Sequence, residues 1–330
     1  VEKKKKKVRA LGICSGGLDS MLSGMVLKSQ GVEVEWITLV TPFFFADKAQ
    51  NASQITGISL MIQDITLDYL EMLKDPPCGY GRYMNPCLDC HSLMFRIAGR
   101  VMKEKGFDFL FSGEVLGQRP MSQSRPSLRY VEKHSEFDGY IVRPLSAKKL
   151  PETLPEKMGL VDRSQLLDIS GRSRKLQMEL AKSFNITEYP APAGGCLLTD
   201  AGYSRRLKDL FDHQHSHEIR EFHLLKYGRH MRLDPETKII VGRTQKDNEN
   251  ILSHYDPKSD ILMNPCIPGP VLLIPHGGSG GVVLKAASIS AGSIKISGDA
   301  PVGIVVSSPA GKRSIDVKPV HPAEIRHLLI

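Results

Sequence analysis

The stretch Val8-Arg9-Ala10-Leu11-Gly12-Ile13-Cys14-Ser15-Gly16-Gly17-Leu18-Asp19-Ser20 decides the fold. Residues Val8 to Cys14 form a short, mostly apolar run that reads as a buried strand, and Ser20 to Ser29 carry a helical pattern that Gly31 closes. A second apolar run, Val34 to Val40, follows directly, so the chain opens as a βαβ unit. Between strand and helix lies a glycine turn. Glycines let backbone N–H groups approach an anion without a Cβ in the way, the helix N-terminus adds partial positive charge, and Ser15 and Ser20 supply hydroxyl groups. An ordinary strand-to-helix turn is the alternative. Asp19 is out of place beside phosphates unless a divalent cation bridges the two, so we expect it to work with Mg²⁺.

Working outward, Leu93 to Lys105 read as a helix and Phe107 to Phe111 as a strand ended by Gly113. The alternation predicts an α/β fold, an open parallel sheet with helices on both faces. Prolines at 144, 151 and 155 interrupt the chain, a helical pattern returns over 172 to 184, and Ser204 to Phe211 read as a further helix. Around His213 to Arg220 the composition shifts to short β-branched runs with glycine and proline, which predicts two domains, 1–217 and 218–330. In the second, Lys238 to Gly242, Val271 to Ile274, Gly281 to Lys285, Ile294 to Ile296 and Val302 to Val306 read as strands of a smaller, mainly β domain. Gly277 to Gly281 read as a flexible loop, because no helix pattern is evident after them.

Hydrophobic residues make up 41% of the 330, and no apolar run approaches the roughly 20 residues that span a bilayer. No signal-peptide pattern opens the chain, so the expectation is a cytoplasmic protein. The formal charge of +8 suits a polyanionic partner. Lys3 to Lys7 read as a solvated end, whereas Arg163, Arg172, Arg174, Arg205, Arg206, Arg229 and Arg232 are candidates to track phosphates. The six cysteines are expected to be reduced, so close pairs point to metal or redox chemistry.

Ser15-Gly16-Gly17-Leu18-Asp19-Ser20 resembles the SGGxDS motif of the PP-loop ATP pyrophosphatases. The resemblance implies an adenine nucleotide alpha hydrolase-like fold, release of pyrophosphate from ATP, and transfer of AMP to a substrate oxygen. It places Ser15, Gly16, Gly17, Asp19 and Ser20 on ATP, with adenine near the backbone after Val34 to Val40. Ser112-Gly113-Glu114-Val115-Leu116-Gly117-Gln118, then Ser122-Gln123, and Arg143-Pro144-Leu145 are similar to segments of the tRNA 4-thiouridine synthases. This likeness covers about residues 8 to 200 and adds Gly113 and Gln118 to the nucleotide site. Gln118 and Arg119 follow a strand's carboxyl end, where ligands gather, and either contact substrate or fix the loop. The ferredoxin-like, THUMP and rhodanese domains of those synthases have no counterpart in the sequence.

Asn85-Pro86-Cys87-Leu88-Asp89-Cys90-His91 brings two thiols within reach of one metal ion or cluster, and Cys196 follows Gly194-Gly195 about a hundred residues on. The pattern resembles the tRNA 2-thiouridylases, with Cys87 at their aspartate and Cys90 and Cys196 at their catalytic cysteines. Three thiols instead resemble the iron–sulfur-dependent tRNA thiolases, which implies a [4Fe–4S] cluster on Cys87, Cys90 and Cys196. Open alternatives are a structural Zn²⁺ completed by His91 or Cys78, and persulfide chemistry without metal. Cys14 reads as a core residue and Cys266 as chemically idle.

Leu225-Lys226-Tyr227-Gly228-Arg229-His230-Met231-Arg232, Ile239-Ile240-Val241-Gly242-Arg243 and Asn248-Glu249-Asn250 look like the RNA-binding domain of NFACT-type proteins. In that case Tyr227 stacks on a base while Arg229 and Arg232 meet phosphates; the alternative is a packed tyrosine with solvated arginines. Taken together, the sequence points to an ATP-dependent tRNA sulfurtransferase that adenylates a uridine carbonyl oxygen and replaces it with sulfur from a sulfide or persulfide donor. The competing readings are a PP-loop enzyme acting on a small molecule and a non-catalytic RNA-binding protein with a relict nucleotide site.

Overall fold

The computed structural model describes residues 7–191, 196–214, 217–294 and 300–330. The Lys3 to Lys7 run apart from Lys7, the Gly194-Gly195 pair, and the expected strand Ile294 to Ile296 beyond its first residue lie outside the described residues. Two compact units are present, Val1–Thr199 and Asp200–Ile330.

The first unit runs β1 (Arg9–Ile13), α1 (Leu18–Ser29), β2 (Glu33–Val40), α2 (Asp47–Thr56), β3 (Leu60–Asp64), α3 (Thr66–Lys74), α4 (Cys87–Lys105), β4 (Phe109–Ser112), α5 (Arg125–His134), β5 (Ile141–Val142), α6 (Leu154–Lys157) and α7 (Lys175–Ser183). Its sheet has the order β3-β2-β1-β4-β5, and every neighbouring pair is parallel. Successive strands alternate their side chains between two buried faces. Ala10, Trp36, Phe109 and Phe111 join Met21 and Leu22 of α1 and Ala181 of α7 in one core. Leu11, Ile37 and Leu110, between them in sequence, are just as buried, and α4 packs against β1 and β4. The α/β class with an open parallel sheet therefore stands. After β3 the chain returns to the other side of β1 to form β4. This makes the gap between β1 and β4 the topological switch point, where the carboxyl ends of neighbouring strands open a crevice.

Helix α4 starts at Cys87, earlier than the Leu93 expected from the sequence. Pro86, at the N-cap, cannot donate a backbone hydrogen bond and so marks the helix start, Asp89 in the first turn suits the helix dipole, and Cys90, Leu93 and Ile97 form one buried stripe. The two cysteines thus sit in a helical turn rather than in a loop.

The second unit runs α8 (Ala201–His213), α9 (Ile219–Leu224), β6 (Arg229–Arg232), β7 (Lys238–Val241), α10 (Gln245–Ser253), β8 (Ile261–Pro265), β9 (Leu272–Ile274), α11 (Gly280–Gly292), β10 (Val302–Ser308) and β11 (Gly311–Val317). Its strands form a six-stranded sheet in the order β11-β10-β8-β9-β7-β6, antiparallel throughout. One face packs on α11, and the other meets Leu224 and Ile251 of α9 and α10. The units divide between Thr199 and Asp200, upstream of the residue 218 suggested by composition. Helix α8 goes with the second unit because the Tyr203 hydroxyl donates to the Phe222 carbonyl at 2.8 Å and Arg232 pairs with Asp209 at 2.6 Å.

One expected strand is a helix. Gly281 to Lys285 belong to α11, which starts after the Ser279 N-cap, so the glycine stretch does lead into a helix. Val282-Val283-Leu284 read as β in isolation, but Val283, Ala286, Ala287 and Ser290 recur at helical spacing and are buried. Packing of that stripe on the sheet overrides the local β preference.

Trp36, the single tryptophan, is fully buried in the first core. Trp36→Ala is expected to destabilise the first unit by about 3–5 kcal/mol in urea unfolding; a loss under about 1 kcal/mol would contradict this account of the core.

Candidate active site

Beyond β1 the chain turns through Gly16, whose φ of +71° favours glycine. A Cβ at Gly16 would lie 2.1 Å from the Lys48 carbonyl carbon, and one at Gly113, just past β4, would lie 2.4 Å from the Ser20 nitrogen. The turn is therefore held by main chain on both sides. Gly17 caps α1 without a side-chain hydrogen bond, so the first-turn N–H groups of the helix keep no capping acceptor. Ser20 Oγ donates to the Gly17 carbonyl at 2.8 Å and lies 3.5 Å from Ser15 Oγ. Below the turn, burial pushes the Cys14 thiol up to about 11, so it is a neutral core residue as expected.

Asp19 stands at the mouth of this turn. Gln118 Nε2 donates to its Oδ2 at 2.6 Å, while its Oδ1 is buried and has no hydrogen-bond partner among the described residues. Burial raises the Asp19 pKa, with smaller downward pulls from Gln118, Arg174, Arg119 and Gln177. A buried, unpartnered carboxylate oxygen beside a phosphate-sized turn fits a Mg²⁺ ligand. Neither Gln177 nor Arg174 was picked out for this site from the sequence, since α7 comes some sixty residues after Gln118.

Beside the turn lies a buried charge network. Glu114 accepts from Arg143 Nε at 2.9 Å, and its other oxygen lies 3.0 Å from His91 Nδ1. Arg143 also holds Glu132 at 2.5 Å. Burial pushes the Glu114 pKa up, but the Arg143 and His91 interactions outweigh it and hold the carboxyl at about 2. His91 is thus engaged with Glu114.

The structure brings the predicted cysteines together. Cys87 opens α4 and accepts from Asn85 Nδ2 at 3.3 Å. Cys90 is buried one turn on; burial raises its pKa, and the charges of Cys196, Cys87 and Asp89 add to the effect, against a hydrogen bond with Tyr69. Cys196 is pushed up to about 11 by burial, with an upward contribution from Cys87 and a downward one from the Leu198 backbone. Its segment is tied down by Leu197 N–H donating to the Phe43 carbonyl at 3.1 Å. Tyr69 of α3 is buried against Phe43 at a ring separation of 5.5 Å and interacts with all three thiols. It was not singled out in the sequence, because a tyrosine on a helical stripe looks like core.

Among the described residues no three His, Cys, Asp or Glu side chains could hold a single metal ion. Cys87 and Cys196 nevertheless both push the Cys90 thiol up, and Cys87 pushes Cys196 up, so the three lie within electrostatic range. A cationic centre would draw these thiols to the thiolate form, and three cysteines are a donor set of the kind that holds an iron–sulfur cluster. The loop from β2 to α2 joins the two halves of the site, with Phe43 at the cysteines and Lys48, at the start of α2, against Gly16.

In the second unit, Tyr227 is half-buried against the Leu224–Ile251 core, with its ring 6.0 Å from His254. Arg229 is exposed and lines a cavity of about 600 Å³ with Arg243, Thr244 and Asn248. Arg232 is committed to Asp209, to which it donates two hydrogen bonds. The three residues expected to contact RNA therefore do not form one open surface.

The glycine turn thus lies at the switch point of a parallel sheet, where ligands bind in open α/β folds. Residues 6–150 match the family model described as thiamine biosynthesis protein (ThiI), and residues 228–329 match that of the NFACT protein RNA binding domain. It is 26% identical over 155 residues to a probable tRNA sulfurtransferase of Oceanobacillus iheyensis, covering 44% of this chain and 37% of that protein. It is 30% identical over 149 residues to a probable tRNA sulfurtransferase of Thermotoga maritima, covering 42% and 36%. The chain thus spans little more than a third of the length of these relatives. Among solved structures it is similar to a 4-thiouridine synthetase in complex with RNA and ATP, at 19% identity and a TM-score of 0.35, over 54% of this chain and 52% of that one.

The network around Glu114 has a defined pH sign. Its pKa is lowered from 4.5 to about 2 in the fold, so the stability it contributes is complete above about pH 4.5 and is lost as pH falls toward 2. Arg143→Met, which leaves Glu114 buried without its partner, is expected to cost about 3–5 kcal/mol at pH 7 and to flatten the acid limb of the stability curve. An unchanged acid limb in urea titrations would show that the pair is not linked to folding.

Proposed function

We propose that this protein is an ATP-dependent tRNA sulfurtransferase that adenylates a uridine carbonyl oxygen and replaces it with sulfur. What supports this reading is that Cys87, Cys90 and Cys196, from segments about a hundred residues apart, come within electrostatic range of one another, and that the loop from β2 to α2 touches both the Cys196 segment and the glycine turn. A carbonyl oxygen leaves poorly, so it must first be activated. The uridine oxygen attacks the α-phosphorus of ATP and expels pyrophosphate; a sulfur nucleophile then attacks the carbon, and AMP departs with the oxygen.

In this mechanism the N–H groups of Gly16, Gly17 and the first turn of α1 bind the phosphates, with Ser15 and Ser20 hydroxyls beside them. Gly113 keeps the β4 side of the crevice open, and Gln118 orients Asp19, whose free oxygen would hold Mg²⁺. Cys87, Cys90 and Cys196 would hold a [4Fe–4S] cluster that, when bound, presents sulfur to the activated carbon. Tyr69 excludes water behind Cys90. The six cysteines are all unpaired, which suits a cytoplasmic, reducing setting, and no described helix is long and apolar enough to cross a membrane. The NFACT-type unit would grasp tRNA, and Arg229, not Arg232, is its available phosphate contact.

The expected outcome with purified protein, tRNA, Mg²⁺ and sulfide is tRNA-dependent release of AMP, reduced at least a hundredfold in Cys90→Ala and Cys196→Ala. A protein that binds tRNA yet releases no AMP would instead be an RNA-binding module. Anaerobic preparations should contain iron and acid-labile sulfide, both lost in Cys87→Ala; zinc without iron in active protein would overturn the cluster. Arg229→Ala should weaken tRNA binding and lower the salt slope by about 1, as expected for one lost phosphate contact. Arg232→Ala should lower stability instead.

A further inference from the structure

The turn and Asp19 are supported by a pair of amides, the half-buried Gln118 and the buried Gln177, whose direction is fixed by chemistry. An ionised carboxylate only accepts hydrogen bonds, so Gln118 must present its Nε2 to Asp19 Oδ2, as it does at 2.6 Å. That leaves the Gln118 Oε1 facing α7, where Gln177 Nε2 donates to it at 2.9 Å. Gln177 is fully buried, its amide also lies close enough to Asp19 to pull that carboxyl's pKa down, and its own Oε1 has no partner among the described residues. An unsatisfied buried carbonyl is costly, yet the side chain is held with its amide hydrogens toward Gln118. A leucine or methionine would fill the same space in the α7 stripe without that cost.

We infer that Gln177 is a positioning residue for the nucleotide site. It locks the Gln118 amide in the orientation that donates to Asp19, and so leaves Asp19 Oδ1 as the oxygen turned to the metal of a metal–nucleotide complex. Without Gln177 the Gln118 amide is free to flip or swing away, and Asp19 then has two competing orientations. The inference rests on the proposed use of ATP with Mg²⁺, and it adds a residue from α7, outside the glycine turn and the loop after β4.

The test is calorimetric titration of the full chain with a non-hydrolysable ATP analogue, with and without Mg²⁺. The readout is the factor by which Mg²⁺ tightens binding. In Gln177→Met this factor should fall about tenfold, the value of one charge-assisted hydrogen bond of about 1.5 kcal/mol. Gln118→Met should produce a comparable fall, and the double variant should lose clearly less than the two single losses combined, because Gln177 acts largely through Gln118. A purely packing role would make the two losses additive, or would leave the Mg²⁺ factor intact while lowering stability; either result overturns the inference. If Gln177→Met does not fold, Gln177→Leu takes its place in the same cycle. A wild-type protein that binds no nucleotide at all would defeat the proposed function itself, whereas nucleotide binding with an unchanged Mg²⁺ factor in Gln177→Met defeats only the role of Gln177.

Discussion

The site depends on a close approach of main chain to main chain at the carboxyl end of β1. Gly16 lies against the Lys48 backbone and Gly113 against the Asp19–Ser20 backbone, at distances that leave no room for a Cβ on either glycine. The turn cannot relax outward or inward without breaking one of these contacts. Its amides are consequently fixed before any ligand arrives, which spares the ordering cost that a flexible loop would incur on binding. The same contacts link the turn to the loop after β2 and to the segment after β4.

Burial then sets the electrostatics of the site. Asp19 and the thiols of Cys90 and Cys196 are all shifted toward their neutral forms, chiefly by desolvation. Groups in this state are poor anions alone but strong ligands once a cation is present, because the cation reverses the penalty. Glu114 is the opposite case. Arg143 and His91 hold it ionised, and their charges tie it down as a fixed anchor after β4.

Much of this was legible in the sequence. The apolar run to Cys14, the glycine turn and the helix after it specify a βαβ start by period and by turn chemistry, and the spacing of Cys87 and Cys90 signals a shared site. What was not legible arises from long-range packing. Tyr69 and Gln177 meet the site only because α3 and α7 fold back onto it, and neither has a distinctive neighbour in sequence. Arg232 looked available until Asp209, on a helix read as part of the first domain, was found to pair with it. The β-branched run in α11 misled for a similar reason, since its helical stripe is satisfied only by the sheet it covers.

The most direct measurement is a crystal structure of the protein with a non-hydrolysable ATP analogue and Mg²⁺. The expected result is a triphosphate on the amides of Gly16 to Ser20, with the metal on Asp19 Oδ1 and the α-phosphate facing the three cysteines. A nucleotide bound elsewhere, or a turn that stays closed to phosphate at saturating concentration, would contradict the account.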